Sequence, residues 1–155
     1  MDTPVSSVPY ESVESKPEPQ KISFMLPVEK GTVLKGYSDD TLQYSSTYQD
    51  MRLHLGLDIA CNKSSYVKSC AMGKVKTISE NVNVGRYVET EHPDGTVIRY
   101  CGLESINVKV NEEINGGDVL GTVGTVTGEC MDKSHIHIEV YRNGKQIDPA
   151  LILGN

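Results

Sequence analysis

Leu53-His54-Leu55-Gly56-Leu57-Asp58-Ile59-Ala60 and His135-Ile136-His137-Ile138-Glu139-Val140 are the two stretches that decide the fold of this chain. In the first, Leu53, Leu55, Leu57 and Ile59 alternate with His54, Gly56 and Asp58. In the second, Ile136, Ile138 and Val140 alternate with His135, His137 and Glu139. A period of two marks a half-buried strand, not a helix. Outward from these stretches, further strand-like runs cover residues 74–78, 86–91, 96–101, 119–123 and 135–142, and no long amphipathic helix interrupts them. The run GGDVLGTVGTVTG at 116–128 lacks the Lys-Ser/Thr ending and following helix of a phosphate loop. Its glycines instead suit the turns and corners of an all-β fold.

The polar members of the two stretches form the pattern H-x-x-x-D … H-x-H and use three of the four histidines. Imidazole nitrogen and carboxylate oxygen are ordinary zinc ligands, and three protein ligands plus a water make an open site of the catalytic type. An undistorted strand would hold His54 and Asp58 about 13 Å apart, too far to share an ion. Gly56 between them is the residue that permits a bulge or bend to close that distance. His135 and His137 share a strand face about 6–7 Å apart, so one can bind metal while the other faces the neighbouring space. Alone, H-x-x-x-D is common by chance and H-x-H can simply lie on a wet face. Their co-occurrence carries the weight. His92, in His92-Pro93-Asp94-Gly95, sits in a hairpin turn between two strand-like runs and is left out of the site.

A chain of 155 residues suits one globular domain with a tail. Residues 1–20 hold four of the seven prolines (Pro4, Pro9, Pro17, Pro19), four serines and no apolar period. The expected division is therefore a disordered tail or linker over 1–21 and a folded domain over 22–155. A net charge of −6 argues against a nucleic-acid binder. No apolar run approaches the roughly 18–20 residues that cross a bilayer. The four cysteines (Cys61, Cys70, Cys101, Cys130) show no C-x-x-C spacing. They allow three disulfide pairings, with free thiols behaving as small apolar side chains as the simpler reading.

From about His54 to Pro149 the chain resembles a LytM, or lysostaphin-type, zinc metallopeptidase domain. The likeness runs through His54 to Ile59, Val67 to Val75, Glu91 to Gly95, Tyr100-Cys101-Gly102-Leu103, Gly117 to Gly121, Gly124, Gly128, His135 to Val140 and Asp148-Pro149. It implies a glycine-rich β-sheet, barrel-sandwich fold in which His54, Asp58 and His137 hold zinc and His135 assists catalysis. The family also places a second catalytic histidine where this chain has Gly102. Glycine carries no acid/base group, and loss of one typically costs about 10²–10⁴-fold in rate. Strand alternation directs the adjacent Cys101 to the opposite face, making it a poor substitute.

The stretches Phe24 to Pro27, Tyr37 to Asp40, Tyr44 to Thr47 and Leu103 to Val110 also resemble the stage II sporulation protein Q family of endospore formers. That likeness implies a membrane anchor N-terminal to Met1, residence at the forespore membrane and a domain in the extracytoplasmic intermembrane space. It further implies a partner there, the ectodomain of stage III sporulation protein AH, with peptidoglycan as a second candidate. Three function classes follow: a zinc-binding, catalytically impaired domain that acts in engulfment by binding its partner, an active peptidoglycan zinc endopeptidase, and a structural β domain with a relic site. Gly102 and the intact ligand trio favour the first.

Overall fold

A computed structural model of the protein describes residues 22–153. The expected tail over 1–21 lies outside the described residues. The rest is all-β, as its alternation predicts, with two 3-10 turns and no α-helix among the described residues. The central sheet runs in the order β1 (Thr32–Lys35), β4 (Leu57–Ala60), β12 (His135–Arg142), β8 (Val97–Cys101), β7 (Gly85–Glu91), β6 (Gly73–Asn81) and β10 (Glu113–Ile114), with β13 (Lys145–Ile147) paired to β12. A three-stranded sheet joins β5 (Tyr66–Lys68), β11 (Val119–Val123) and β9 (Leu103–Ile106), and β2 (Ser38–Ser45) pairs with β3 (Asp50–His54) as a separate hairpin.

Register turns the sequence alternation into two chemically distinct faces. Across β4 and β12, Leu57 faces Ile138, Ile59 faces Ile136 and Asp58 faces His137. Across β12 and β8, Ile138 faces Tyr100, Val140 faces Ile98 and Glu139 faces Arg99. Opposed residues in an antiparallel pair point to the same side. One face is therefore apolar, and it packs with Val67, Leu103, Leu120 and Val123 of the smaller sheet in a single buried cluster. The other face carries the histidines and carboxylates. It is covered by the β2–β3 hairpin and by the segment that follows β11.

Turns follow the expected chemistry. His92 N–H donates to the Thr96 carbonyl and Gly95 N–H to that of His92, closing the β7–β8 hairpin. The His92 ring is buried and hydrogen-bonded to the Met72 carbonyl oxygen (2.7 Å) and Thr90 Oγ1 (2.8 Å), so this histidine is structural. All four cysteines are free thiols. The wholly buried Tyr100 ties core to loop, its hydroxyl accepting a hydrogen bond of 3.0 Å from the Cys70 backbone N–H. Tyr100→Phe leaves that N–H unpaired in the core and should destabilise the domain by about 1–3 kcal/mol, read as a lower urea midpoint at unchanged slope. An unchanged midpoint would mean that another acceptor reaches Cys70.

Candidate metal centre

The path from His54 to Asp58 is broken where the sequence suggests. β3 ends at His54, β4 begins at Leu57, and the bend at Leu55-Gly56 brings His54 Nε2 to 3.2 Å from Asp58 Oδ2. A Cβ on Gly56 would sit 2.5 Å from His137 Cε1. Glycine is thus needed for the close approach of the His137 ring as well as for the bend.

Each ring is oriented by a hydrogen bond on its far side. His54 Nδ1–H donates to the Gly36 carbonyl oxygen at 2.9 Å, which turns the Nε2 lone pair of the neutral ring into the site. His137 directs Nδ1 at Asp58 Oδ1 (2.6 Å), while its Nε2–H donates to Glu139 Oε2 (3.1 Å). Glu139 is held in turn by the Tyr141 hydroxyl (2.8 Å) and Arg99 Nη1 (3.3 Å). Such outer partners fix tautomer and ring orientation at metal-binding histidines. The sequence reading passed over Glu139 as a site residue, although it lies two places beyond His137 on the same strand face.

A second residue that the sequence reading missed lies at the middle of the site. Glu129 ends the 3-10 turn Thr127–Glu129. Its carboxylate reaches His54 Nε2 (2.8 Å), His135 Nε2 (2.9 Å) and His137 Nδ1 (3.3 Å). No periodicity marks it, because it belongs to a loop. The only available signal is an acidic side chain six positions before H-x-H.

Burial disfavours charge on all three rings, but the neighbouring carboxylates outweigh it. Asp58 and Glu129 raise the pKa of His54 to about 9, Glu129 and Asp58 raise that of His135, and Asp58, Glu129 and Glu139 hold His137 well above the usual imidazole range. Burial would likewise raise Glu129, yet the hydrogen bond with His135 and the close His137 and His54 rings pull it far below the usual carboxylate range. His135 donates from both nitrogens, Nδ1–H to the Lys133 carbonyl (2.6 Å) and Nε2–H to Glu129.

The donor set fits a divalent cation. His54, Asp58, Glu129 and His137 each offer one ligand atom, all within 4.8 Å of one another. Ligands at about 2.0–2.1 Å from a tetrahedral zinc stand roughly 3.3 Å apart, close to the spacings above. Despite their proximity to acceptors and donors, His54 Nε2 and Asp58 Oδ2 make no hydrogen bond of acceptable geometry and are buried. Two buried polar atoms aimed into a shared space without partners are what a cation would satisfy. The geometry brings the expected trio His54, Asp58 and His137 together, adds Glu129, and leaves His135 beside the set.

The chain belongs to peptidase family M23. The family model matches residues 52–149, which span the whole H-x-x-x-D … H-x-H frame from β3 to the turn after β13. Members of the family are zinc metallopeptidases. The cell division protein DipM of Caulobacter vibrioides is 34% identical over 105 residues, covering 63% of this chain and 17% of that protein. The peptidoglycan DD-endopeptidase ShyC of Vibrio cholerae is 28% identical over 102 residues, 66% of this chain and 23% of ShyC. This chain therefore spans less than a quarter of either relative. Among solved structures, a chain of the SpoIIQ–SpoIIIAH pore-forming complex superposes with a TM-score of 0.72 at 23% identity, over 85% of this chain and 91% of that one. A zinc-containing peptidase from Vibrio cholerae superposes with a TM-score of 0.69 at 26% identity, over 81% and 39%.

Position 102 departs from expectation in one respect. Cys101 pairs with His137 and shares its sheet face, so it lies beneath the site and not away from it. Alternation fails at the next residue, because Gly102 has φ +90° and separates β8 from β9. Burial pushes the Cys101 thiol pKa far up, so it stays protonated and is no acid/base stand-in. A Cβ at 102 would lie 2.5 Å from Val126 Cγ2. Gly102→His should therefore cost about 1–3 kcal/mol in stability through backbone strain and overpacking, without producing hydrolysis. Thermal unfolding and a peptidoglycan-release assay on this variant check both parts. Unchanged stability would show that the loop yields freely.

Proposed function

We propose that this domain is a zinc-binding, catalytically impaired M23 domain that acts in sporulation by binding a partner across the intermembrane space. His54, Asp58 and His137 would hold the ion. Bound zinc supplies a Lewis acid and a source of activated water in this class of site. The chain's own residues serve that chemistry poorly. Gly102 offers no side chain and Cys101 keeps its proton, so His135 stands without a second acid/base group beside it. The bare position at Gly102 is the observation that carries this reading. An active peptidoglycan endopeptidase is the alternative, and the match to ShyC over the metal frame is what favours it.

The partner we propose is the ectodomain of stage III sporulation protein AH, with the full-length protein anchored in the forespore membrane. Support comes from the fold likeness to a chain of the SpoIIQ–SpoIIIAH complex, which extends over nearly all of that chain. A β domain with edge strands offers a suitable surface, since an edge accepts a strand or loop from another protein.

Zinc uptake should reach about one ion per chain. His54→Ala should abolish stoichiometric uptake, whereas His135→Ala should retain it, as followed by metal analysis after dialysis. Equal loss in both variants would reverse the assignment within H-x-H. Purified domain should release little or no product from peptidoglycan, and titration calorimetry should detect direct association with the proposed ectodomain. Chelator-sensitive hydrolysis by the unmodified chain would establish the endopeptidase alternative, and absence of binding by folded protein would remove the partner.

A further inference from the structure

We infer that Glu129 is a fourth protein ligand, closing the coordination shell at the position where an open M23 site would keep its water. This rests on the zinc reading above but goes beyond it, since it concerns whether any water-binding position remains. Three features point to it. The Glu129 carboxylate meets His54 Nε2 at 2.8 Å and His137 Nδ1 at 3.3 Å, comparable with the distances from Asp58 to the same two nitrogens (3.2 and 2.6 Å). It therefore stands to the two imidazoles as Asp58 does, inside the ligand sphere and not behind it. The approach to His54 Nε2 is close but not hydrogen-bonded, leaving that nitrogen without a partner, as expected where lone pairs converge on a common ion.

The second feature is that Glu129 is fixed. Gly128 N–H donates to the Asn83 carbonyl (2.7 Å), and Thr127 Oγ1–H donates to the Val82 carbonyl (2.6 Å). Both acceptors lie in the β6–β7 turn. A Cβ on Gly128 would sit 2.5 Å from the Asn83 oxygen, so the turn can lie this close only with glycine there. Downstream, Asp132 N–H donates to the Glu129 carbonyl (3.1 Å) and Met131 N–H to Thr47 Oγ1 (3.1 Å). The turn that carries the carboxylate is thus held on both sides by hydrogen bonds.

The third feature is His135. Its Nε2–H donates to Glu129 Oε1 at 2.9 Å, and its Nδ1–H is engaged by the Lys133 carbonyl. His135 thereby acts as a positioning residue for Glu129, in the way that outer hydrogen bonds orient a ligating carboxylate. A shell of two imidazoles and two carboxylates is closed, and closed tetrahedral sites hold zinc without offering it to substrate.

The test replaces zinc with Co(II), whose visible bands report coordination. Wild type should show the intense bands of a four-coordinate ion, and these should not move when azide is added. Glu129→Gln should bind Zn(II) at least about 10-fold more weakly in a chelator competition, the order lost even when an outer partner of a ligand is removed. Its Co(II) spectrum should shift on azide addition, as water or azide takes the vacated position. Glu129→Ala should do the same, and unchanged circular dichroism in both variants separates ligand loss from misfolding. His135→Ala should retain the metal with a smaller loss of affinity. A wild-type Co(II) spectrum that responds to azide, together with unchanged Zn(II) affinity in Glu129→Gln, would overturn the assignment of Glu129 while leaving the ligand trio standing. Absence of both Zn(II) and Co(II) binding by wild type would overturn the zinc reading and this inference with it.

Discussion

Burial of opposite charges on one face of a sheet is the constraint around which this domain is organised. Asp58 is completely buried, Glu129 is partly buried, and three imidazoles lie against them. An ionised carboxylate in such surroundings is sustained only by cations or by several hydrogen bonds. Without a metal that task falls to the rings, and for this reason His54, His135 and His137 all hold protons more tightly than free imidazole. A divalent ion would satisfy the same carboxylates with one charge centre and would occupy Asp58 Oδ2 and His54 Nε2, which have no other partner.

The sheet supplies the precision this requires. Asp58 and His137 are register partners on β4 and β12, so their separation is set by the hydrogen-bond ladder and not by loops. The opposite face of the same strands is filled by Ile59, Ile136 and Ile138, all essentially inaccessible to water. Slipping β12 by one residue would exchange these isoleucines with the histidines, exposing apolar surface and driving imidazoles into the core. Hydrophobic burial therefore holds the ligands in place although none of the ligands is apolar.

That coupling explains what the sequence disclosed. The longer strands of both sheets were legible because a half-buried strand writes its two faces as alternation, and 135–142 and 119–123 coincide with β12 and β11. The bend at Gly56 was legible because His54 and Asp58 are incompatible with one straight strand. Short strands such as β5, β10 and β13 carry too few residues to show a period. Glu129 was hidden for a different reason: its position depends on Gly128 meeting Asn83 and Thr127 meeting Val82, contacts between loops more than forty residues apart. Cys101 was misdirected because alternation was carried through Gly102, where a positive φ ends it.

Gly102 and Glu129 are features of one structural solution. The Gly102 carbonyl accepts from Gly124 N–H at 2.7 Å, and the space above its Cα is taken by Val126, only three residues before Glu129. The segment 124–129 thus presses on position 102 at one end and enters the ligand sphere at the other. A side chain at 102 would push Val126 outward, and the turn that carries Glu129 would have to follow. With glycine, the loop settles against the end of β8 and delivers its carboxylate to the histidines. The missing side chain and the added carboxylate reinforce each other: the first makes room for the loop, and the second, if Glu129 ligates the ion, would take the place an open site leaves to water. On the proposed reading, a metallopeptidase frame becomes in this way a site whose metal holds the β2–β3 hairpin, the central sheet and the 124–129 loop together, a structural role that leaves the edges of the fold free for a partner.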